Sequence, residues 1–587
     1  VVDYETPVLI IGGGGAGLSA SVFLSDLGVD HLMVERHFST SPMPKAHYLN
    51  PRTMEIFRQH GLADEVSALG MPTQDTKVRY VTSLGGDGEF DQKEIVTFDA
   101  YSGGSLRERY LAAAPVPPTN FPQLRLEPVL RRHAEERGPD RVRFGQEVIS
   151  LEQDATGVTA RVRDLVRDVE YTVRSQYVIG ADGGRFVGPK VGAVMEGPGA
   201  QSLLKTSHVT VDLSDYLPGD ALITHVARPG SRFRWTAVVP MGPAWGKRAE
   251  EYTVGFAFYP GDEVGIADED LPAAIREGLG LPDLVMKVHK GGQWLVERSV
   301  ASRFRFDRVF LAGDAAHKHV PTGGLGLNSA FHDVHNLTWK LAAVLKGWSA
   351  DPERLLQSYE DERRPADIRN ADWALFTYAN HEMVDVGLGM SSSQTIEENA
   401  ETMAAYFADT PMGETLRARG LEVMRTQRTE YQALEIELGV SYESAAVVPD
   451  GTQSPPRDPM GTDYKPVARP GHRLPHAWLS TGGERVSTHD LVGRYGGFAL
   501  LAGRDGVEWV AAAEALAEKL GVPIKTARIG DGLPYGDPTG AWGRGSGISP
   551  DGAVLVRPDN HVGYRAHRLV PDPEAQLEQA LRAILSS

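Results

Sequence analysis

With 587 residues, 41% of them hydrophobic and 24% charged, the chain is long enough for about two to four globular domains. Its net charge of −18 and the lack of any Lys/Arg tract exclude a nucleic-acid or membrane-surface partner, and no apolar run approaches the roughly 20 residues of a membrane-spanning helix. Cysteine is absent, which excludes disulfides, thiolate nucleophiles and thiolate metal sites. That absence, and an amino end that runs into a strand pattern without a signal-peptide pattern, predict a cytoplasmic protein.

Residues 7–35 read PVLIIGGGGAGLSASVFLSDLGVDHLMVE. The apolar run 8–11 predicts a buried parallel strand, residues 16–27 predict a helix ended by Gly28, and 31–34 predict a second strand ending on Glu35. Gly12, Gly14 and Gly17 have the GxGxxG spacing. Gly12 suits the tight turn, Gly14 lets the backbone approach a pyrophosphate, and Gly17 lets the helix lie close on the strand. Glu35 follows Gly17 by 18 residues (35 − 17), where a carboxylate accepts hydrogen bonds from ribose hydroxyls. An isolated GxGxxG is also an ordinary Gly-rich turn; the strand, helix, strand and acid in register select a dinucleotide site.

In residues 42–62, PMPKAHYLNPRTMEIFRQHGL, prolines keep the first part irregular and Thr53 opens a predicted helix. A loop directly after the ribose-binding acid lies over the cofactor, which makes Lys45, His47 and Arg52 candidates; solvated loop charges are the alternative. Strand patterns follow at 77–82 and 94–98, then an amphipathic helix at 122–138. Further strand patterns at 142–144, 147–153, 157–163 and 171–173 predict a sheet or meander inserted beside the first domain. Residues 177–192, YVIGADGGRFVGPKVG, bring a strand to Asp182 and Gly183; alone this is a simple Asp-Gly turn. Alternating patterns at 207–211, 233–240 and 252–259 predict a sheet-rich substrate domain.

Residues 307–347 combine a strand at 309–312, Gly313-Asp314, a loop with Pro321, Gly323, Gly324 and Gly326, and a long helix capped by Gly347. His317 with His319, or His332 with His335, could be read as metal-ligand pairs. Neither has a carboxylate at a recognisable metal spacing, so no metal is predicted.

Together the three stretches resemble the single-component FAD-dependent aromatic hydroxylases of the para-hydroxybenzoate and phenol hydroxylase type, over roughly residues 5–380. The resemblance implies a Rossmann-like α/β FAD domain with GxGxxG and Glu35 on the ADP moiety. Asp182-Gly183 would serve both FAD and nicotinamide binding, Asp314 after Gly313 the ribityl chain, and Pro321 with the following glycines the flavin ring. It extends the cofactor set to Ala16, Arg36, Lys45, Gln123, Gly324, Gly326, Leu327 and Asn328. The chain departs from the family after Asp182-Gly183, where Arg185 is followed by Phe186-Val187-Gly188-Pro189-Lys190 rather than by the usual continuation. A Pro- and Gly-rich stretch at 449–470 predicts a linker. The strand and helix order beyond it resembles the thioredoxin-like C-terminal domain of phenol and chlorophenol hydroxylases, here without cysteine and so without dithiol chemistry.

The implied division is an FAD-binding domain (1–75, 121–200 and 300–380), a sheet-rich substrate domain (76–120 and 201–299), a helical extension (381–448) and a thioredoxin-like domain (471–587). The implied reaction is hydroxylation of a phenolic ring, ortho to the hydroxyl, by NADH or NADPH and O2 through a flavin C4a-hydroperoxide. The substrate is a small phenolic molecule, and the assembly a homodimer or higher homo-oligomer. His47 and Pro321 are the catalytic candidates: an imidazole with an ordinary pKa of about 6.5 can handle the phenol proton, or His47 simply orders its loop. Tyr101, His225 and Arg234 are pocket candidates on weaker grounds. The rivals are a tailoring or Baeyer–Villiger monooxygenase for polycyclic phenols, a flavin halogenase, a disulfide reductase and a non-catalytic flavin protein. The halogenase's Trp-x-Trp-x-Ile-Pro segment is missing, and a CxxC reductase cannot exist without cysteine.

Overall fold

In the computed structural model, which describes residues 2–228, 231–258, 265–391 and 393–587, the apolar amino-terminal run forms strand β1 (Tyr4–Ile11) and Gly15–Asp26 form helix α1. Helix α1 is buried from Gly15 to Leu24, so packing on several sides holds it, without a strong amphipathic stripe. Strand β2 (His31–Glu35) runs parallel to β1, with Val34 opposite Ile11. Helix α2 (Pro51–Gln59) begins two residues before the predicted Thr53. The Asn50 side chain accepts the Thr53 N–H, and Pro51 fills the first helical position, where no N–H is needed.

Helix α3 (Gln123–Arg137) precedes strand β3 (Val169–Gly180), which joins β1 on one edge. Its other edge is shared. The hairpin Gln146–Asp154/Gly157–Asp164 takes the first half, and strand β4 (Val309–Leu311) takes Val178 to Gly180. The expected separate meander is therefore part of the main sheet, because the predicted pieces at 171–173 and 177–179 are one long strand. Two long helices complete this layer, α4 (Leu325–Leu345) and α5 (Pro352–Asn380).

The second sheet has eight strands: His317–Lys318, Met286–Ala301, Met195–Val211, Glu251–Phe258, Phe233–Pro240, Ala221–Val226, Lys77–Val81 and Glu94–Asp99, in that spatial order. The two sheet-rich stretches of the sequence thus meet in one sheet, and its edge strand lies just past Asp314. The pattern expected at 252–259 is the strand Glu251–Phe258; residue 259 lies outside the described residues. After helices at Glu382–Leu388, Ile396–Phe407 and Pro411–Met424 come two short ones, α6 (Arg428–Tyr431) and α7 (Leu434–Leu438). The carboxyl-terminal unit is a four-stranded sheet of β5 (Phe498–Ala502), β6 (Ile524–Arg528), β7 (Ala553–Val556) and β8 (Val562–Ala566), ordered β6-β5-β7-β8. Helices Val507–Leu520 and Pro573–Leu585 accompany it, in the element order the thioredoxin resemblance implies. Among the described residues no helix is long and apolar enough to cross a membrane.

A fully buried ionic cluster fastens this unit to the rest. Arg557 donates to both oxygens of Glu362 on α5 (2.6 and 2.9 Å) and to Asp559 (3.0 Å). Lys340 on α4 donates to Glu362 at 2.8 Å, and Ser444 donates to it at 2.6 Å. Two cations and two anions balance, and Asn336 adds hydrogen bonds to Glu362 (2.7 Å) and from Lys340 (2.8 Å), as buried charge requires. Helix α2 adds a second seam: Arg52 donates to the Asp559 carbonyl (2.7 Å), Arg473 pairs with Glu55, and Arg58 holds Asp490 (2.8 and 2.9 Å). The apolar part of the contact includes Trp339 edge-on to Phe498, with ring centroids 6.2 Å apart.

Replacing Arg557 by Met leaves Asp559 without its guanidinium and Glu362 with Lys340 as its one cation, at a cost of about 3–5 kcal/mol. The expected outcome is a separate, earlier unfolding transition of the carboxyl-terminal unit in calorimetry, absent from the wild-type protein.

Candidate active site

The carboxyl ends of the parallel strands stop at one level. Ile11 pairs with Val34 and Gly180, and Gly180 with Leu311, so the residues after β1, β2, β3 and β4 emerge together. These are the Gly12–Gly17 turn, Glu35, the Asp182-Gly183 turn and Gly313-Asp314. Ligands of open α/β sheets bind at this edge.

Two glycines here are imposed by contact. A Cβ on Gly12, whose φ is +114°, would lie 2.2 Å from the Ala181 oxygen; one on Gly17 would lie 1.8 Å from the Gly12 oxygen. Gly14 has only a Glu127 oxygen nearby, at 3.6 Å, which leaves room at the amino end of α1 for a phosphate. Ala16 is buried against the Gly313 backbone. Glu35 accepts the Gly13 N–H at 2.6 Å and the His37 N–H at 2.8 Å, so the acid also ties the glycine turn to the end of β2. Arg36 beside it is exposed.

Gln123 begins α3 and gives its amide N–H to Glu127 (2.6 Å), while its backbone N–H holds the Ala46 carbonyl (2.8 Å). Glu127, missed in the sequence, also accepts the Ser41 N–H at 3.2 Å. Burial raises its pKa, although Gln123, Ser41 and Lys45 oppose that. Its only sequence signal is an acid amid the buried positions Leu126, Leu130 and Ala134. Lys45 itself is exposed on the neighbouring loop.

The Asp182 carboxylate accepts the N–H groups of Gly184 (3.1 Å), Phe186 (2.7 Å) and Val187 (2.9 Å). The residues that depart from the family pattern therefore feed the Asp182 cap. Gly183 has nothing within 4 Å of a would-be Cβ, and a Cβ on Gly184 would lie 3.4 Å from the Asp314 oxygen, so the two turns touch. Asp314 is exposed at this edge. Behind it, Asp333 accepts the Gly313 N–H (3.0 Å) and pairs with His317 (2.8 Å) and Arg363 (2.8 Å). The carboxylate partners that the sequence did not reveal for His317 come from α4 and α5, as Asp333 and Asp367. Burial opposes a charge on His317, but Asp367 and Asp333 outweigh it and hold the imidazole up to about 9. With the Arg363 guanidinium on both acids, this is an ion-pair cluster that sets the Gly313 turn.

Pro321 is exposed at the start of a 3-10 turn (Thr322–Gly324) that opens α4. Gly323 and Gly324 adopt φ of +73° and +61°. Gly326 and Leu327 lie half-buried in the first turn, Leu327 beside Gly15. Asn328 is buried with its side chain engaged: it donates to the Tyr48 (2.9 Å) and Gly324 (2.6 Å) carbonyls and accepts from the Asn50 N–H (2.9 Å) and Thr53 hydroxyl (2.7 Å). It thereby locks the loop before α2 onto the start of α4.

His47 is half-buried on that loop, with Nδ1 2.7 Å from the Asn120 oxygen. Burial pushes its imidazole down to about 4, well below the ordinary value expected from the sequence. Tyr101 and His225 are buried in a packed aromatic group. Tyr101 lies on Tyr48 (centroids 4.2 Å apart), His225 stacks on Tyr80 (4.5 Å), and the Tyr80 and Tyr431 hydroxyls meet at 2.6 Å. Arg234 is already paired with Asp385 (3.3 Å) and Glu382 (3.7 Å). Tyr431, Glu430, His381 and Asp385 lie in the extension that the sequence gave no chemical reason to join to this site.

These residues fit a dinucleotide flavin: an open helix start behind glycines that tolerate no side chain, an acid after β2, and a second helix start behind Gly323-Gly324. Comparison with known proteins agrees. The FAD binding domain family matches residues 5–374, and the aromatic-ring hydroxylase C-terminal family matches residues 467–587. A phenol 2-monooxygenase of Pseudomonas sp. (strain EST1001) is 35% identical over 590 residues, covering 98% of this chain and 92% of that protein. The solved structure of the flavin-dependent monooxygenase PieE with FAD and substrate is 37% identical, with a TM-score of 0.91 and 100% of both chains covered. That of aklavinone-11 hydroxylase with FAD and aklavinone is 32% identical, with a TM-score of 0.80 and the same coverage.

Gly12→Ala places a methyl against the Ala181 backbone and forces an alanine to positive φ. The variant is expected to lose the visible absorption of bound flavin after FAD titration, with the far-ultraviolet circular dichroism of the wild type retained.

Proposed function

This chain belongs to the FAD-dependent aromatic-ring hydroxylases, and we propose that it hydroxylates a phenolic ring, ortho to the hydroxyl, with NAD(P)H and O2 as co-substrates. Bound FAD supplies hydride acceptance and oxygen activation. The turn at Gly12–Gly17, Glu35, Gln123, Asp182, Gly313, Asp314 and the residues from Pro321 to Asn328 hold it. The start of α4, carrying about half a positive charge, favours negative charge on the ring system.

The observation that carries the phenolic reading is His47. With Nδ1–H donated to Asn120, the remaining nitrogen is an acceptor, and burial keeps the ring neutral. A simple phenol ionises at about 10, and burial holds this imidazole down to about 4, so His47 is too weak a base to take the phenol proton outright. The imidazole instead accepts the phenol O–H as a hydrogen bond, orienting the ring and enriching the ortho carbon. On this reading His47 orients the phenol, in place of the acid–base role that the sequence suggested.

The full-length similarity to aklavinone-11 hydroxylase favours a second reading, a polycyclic phenol as substrate. The division into FAD-binding, substrate, extension and thioredoxin-like parts, a homodimeric or larger assembly and a cytoplasmic location belong to the same reading.

Oxidation of NADH and NADPH under air, against simple and polycyclic phenols with peroxide assayed alongside, tests the function. Stimulation with little peroxide by a simple phenol is the expected outcome; stimulation by polycyclic phenols alone selects the second reading. His47→Asn is expected to divert most reducing equivalents to hydrogen peroxide. A neutral His47 must charge below about pH 4, so coupling by the wild type is expected to show no His47 ionisation near pH 6.5, and an ionisation there that His47→Asn removes would end this assignment.

A further inference from the structure

The loop that opens α4 is gripped from the helical extension. Glu430 on α6 accepts the Gly323 N–H through Oε1 (3.2 Å) and meets the His381 imidazole through Oε2 (2.5 Å). Both residues are buried, at 6% and 8% exposure, and His381 lies at the carboxyl end of α5. The same loop is tied to α5 by the Thr322 hydroxyl on the Ala374 carbonyl (2.6 Å), and Trp373 bonds the Thr429 carbonyl (3.0 Å) to keep α6 on α5. Seven residues beyond Glu430 (437 − 430), Glu437 on α7 accepts the Tyr48 hydroxyl at 2.7 Å; the Tyr48 ring lies 3.3 Å from a would-be Cβ on Gly324. Two carboxylates of one short segment thus restrain two consecutive left-handed glycines.

We propose that Glu430, oriented by His381, is a positioning residue that fixes the Gly323 amide, and with it the loop from Pro321 to Gly324, for the flavin. A lone carboxylate beside a loop that stabilises anionic flavin would oppose that function. The His381 imidazole engages the far oxygen and so holds the carboxylate at both ends. The two residues therefore act in different ways. Glu430 supplies the acceptor for the Gly323 N–H, whereas His381 engages the other oxygen and sets how strongly that carboxylate acts on the loop. The proposal rests on the FAD-binding reading, so titration of the wild type tests that reading alone, and ratios of variant to wild type test the clamp.

The experiment is FAD affinity by fluorescence quenching, together with the flavin midpoint potential, for Glu430→Gln, Glu430→Asp, Glu430→Leu and His381→Leu. Glu430→Gln keeps an oxygen acceptor and is expected to bind FAD within about threefold of wild type. Glu430→Asp withdraws the carboxylate by one methylene, and Glu430→Leu removes it; each is expected to weaken FAD binding about tenfold or more, the loss of a charge-assisted hydrogen bond. His381→Leu is expected to lower the midpoint potential, and Glu430→Gln in the same chain to restore it, which a merely structural role would not do. Glu430→Leu need not fold for a decision. Wild-type affinity in Glu430→Asp, or a wild-type potential in folded His381→Leu, overturns the proposal.

Discussion

Glu362 is a carboxylate with no exposure to solvent, and the arrangement of the molecule follows from how it is paired. Its partners come from three places: Lys340 on α4, Ser444 after the extension, and Arg557 next to the β7–β8 hairpin. Breaking such a group leaves a naked charge, so α4, α5 and the carboxyl-terminal unit hold one relative position. Since α4 also opens on the Pro321–Gly324 loop, the carboxyl-terminal unit contributes to the position of that loop through Glu362 and Lys340.

The same logic governs the second seam. Helix α2 spends Arg52, Glu55 and Arg58 on the carboxyl-terminal unit, and its start is set by Asn50, which Asn328 binds in turn. His47 lies three residues before that cap (50 − 47) and is held by Asn120. The loop before α2 is therefore stretched between α4 and the α3 entry, where Phe121 and Gln123 donate to the His47 and Ala46 carbonyls at 2.7 and 2.8 Å. An imidazole so restrained and so desolvated favours a fixed hydrogen-bond acceptor over a proton carrier.

The cofactor turns show how much a backbone can demand. Gly12 and Gly17 are fixed by oxygens 2.2 and 1.8 Å from a would-be Cβ, and the Gly313 turn by a buried Asp333 shared with His317 and Arg363. Local spacing could announce the glycines. It could not announce the ion cluster behind them, in which His317, Asp333 and Arg363 lie 16 to 46 residues apart (333 − 317 and 363 − 317) on different elements.

The sequence by itself determined the glycine turn, the acid at the end of β2 and the two later turns, because each is a contiguous pattern with a local period or a steric requirement. It also placed the flavin chemistry within one family. The tertiary structure alone decided that the hairpin at 146–164 joins the main sheet and that Glu127 faces the glycine turn. It likewise decided that His47 sits where burial lowers its pKa, and that Glu430 and His381 reach the loop at Gly323. Burial and pairing between residues more than 40 positions apart have no local signature. They arise only when the helices of the extension close over the sheet edge.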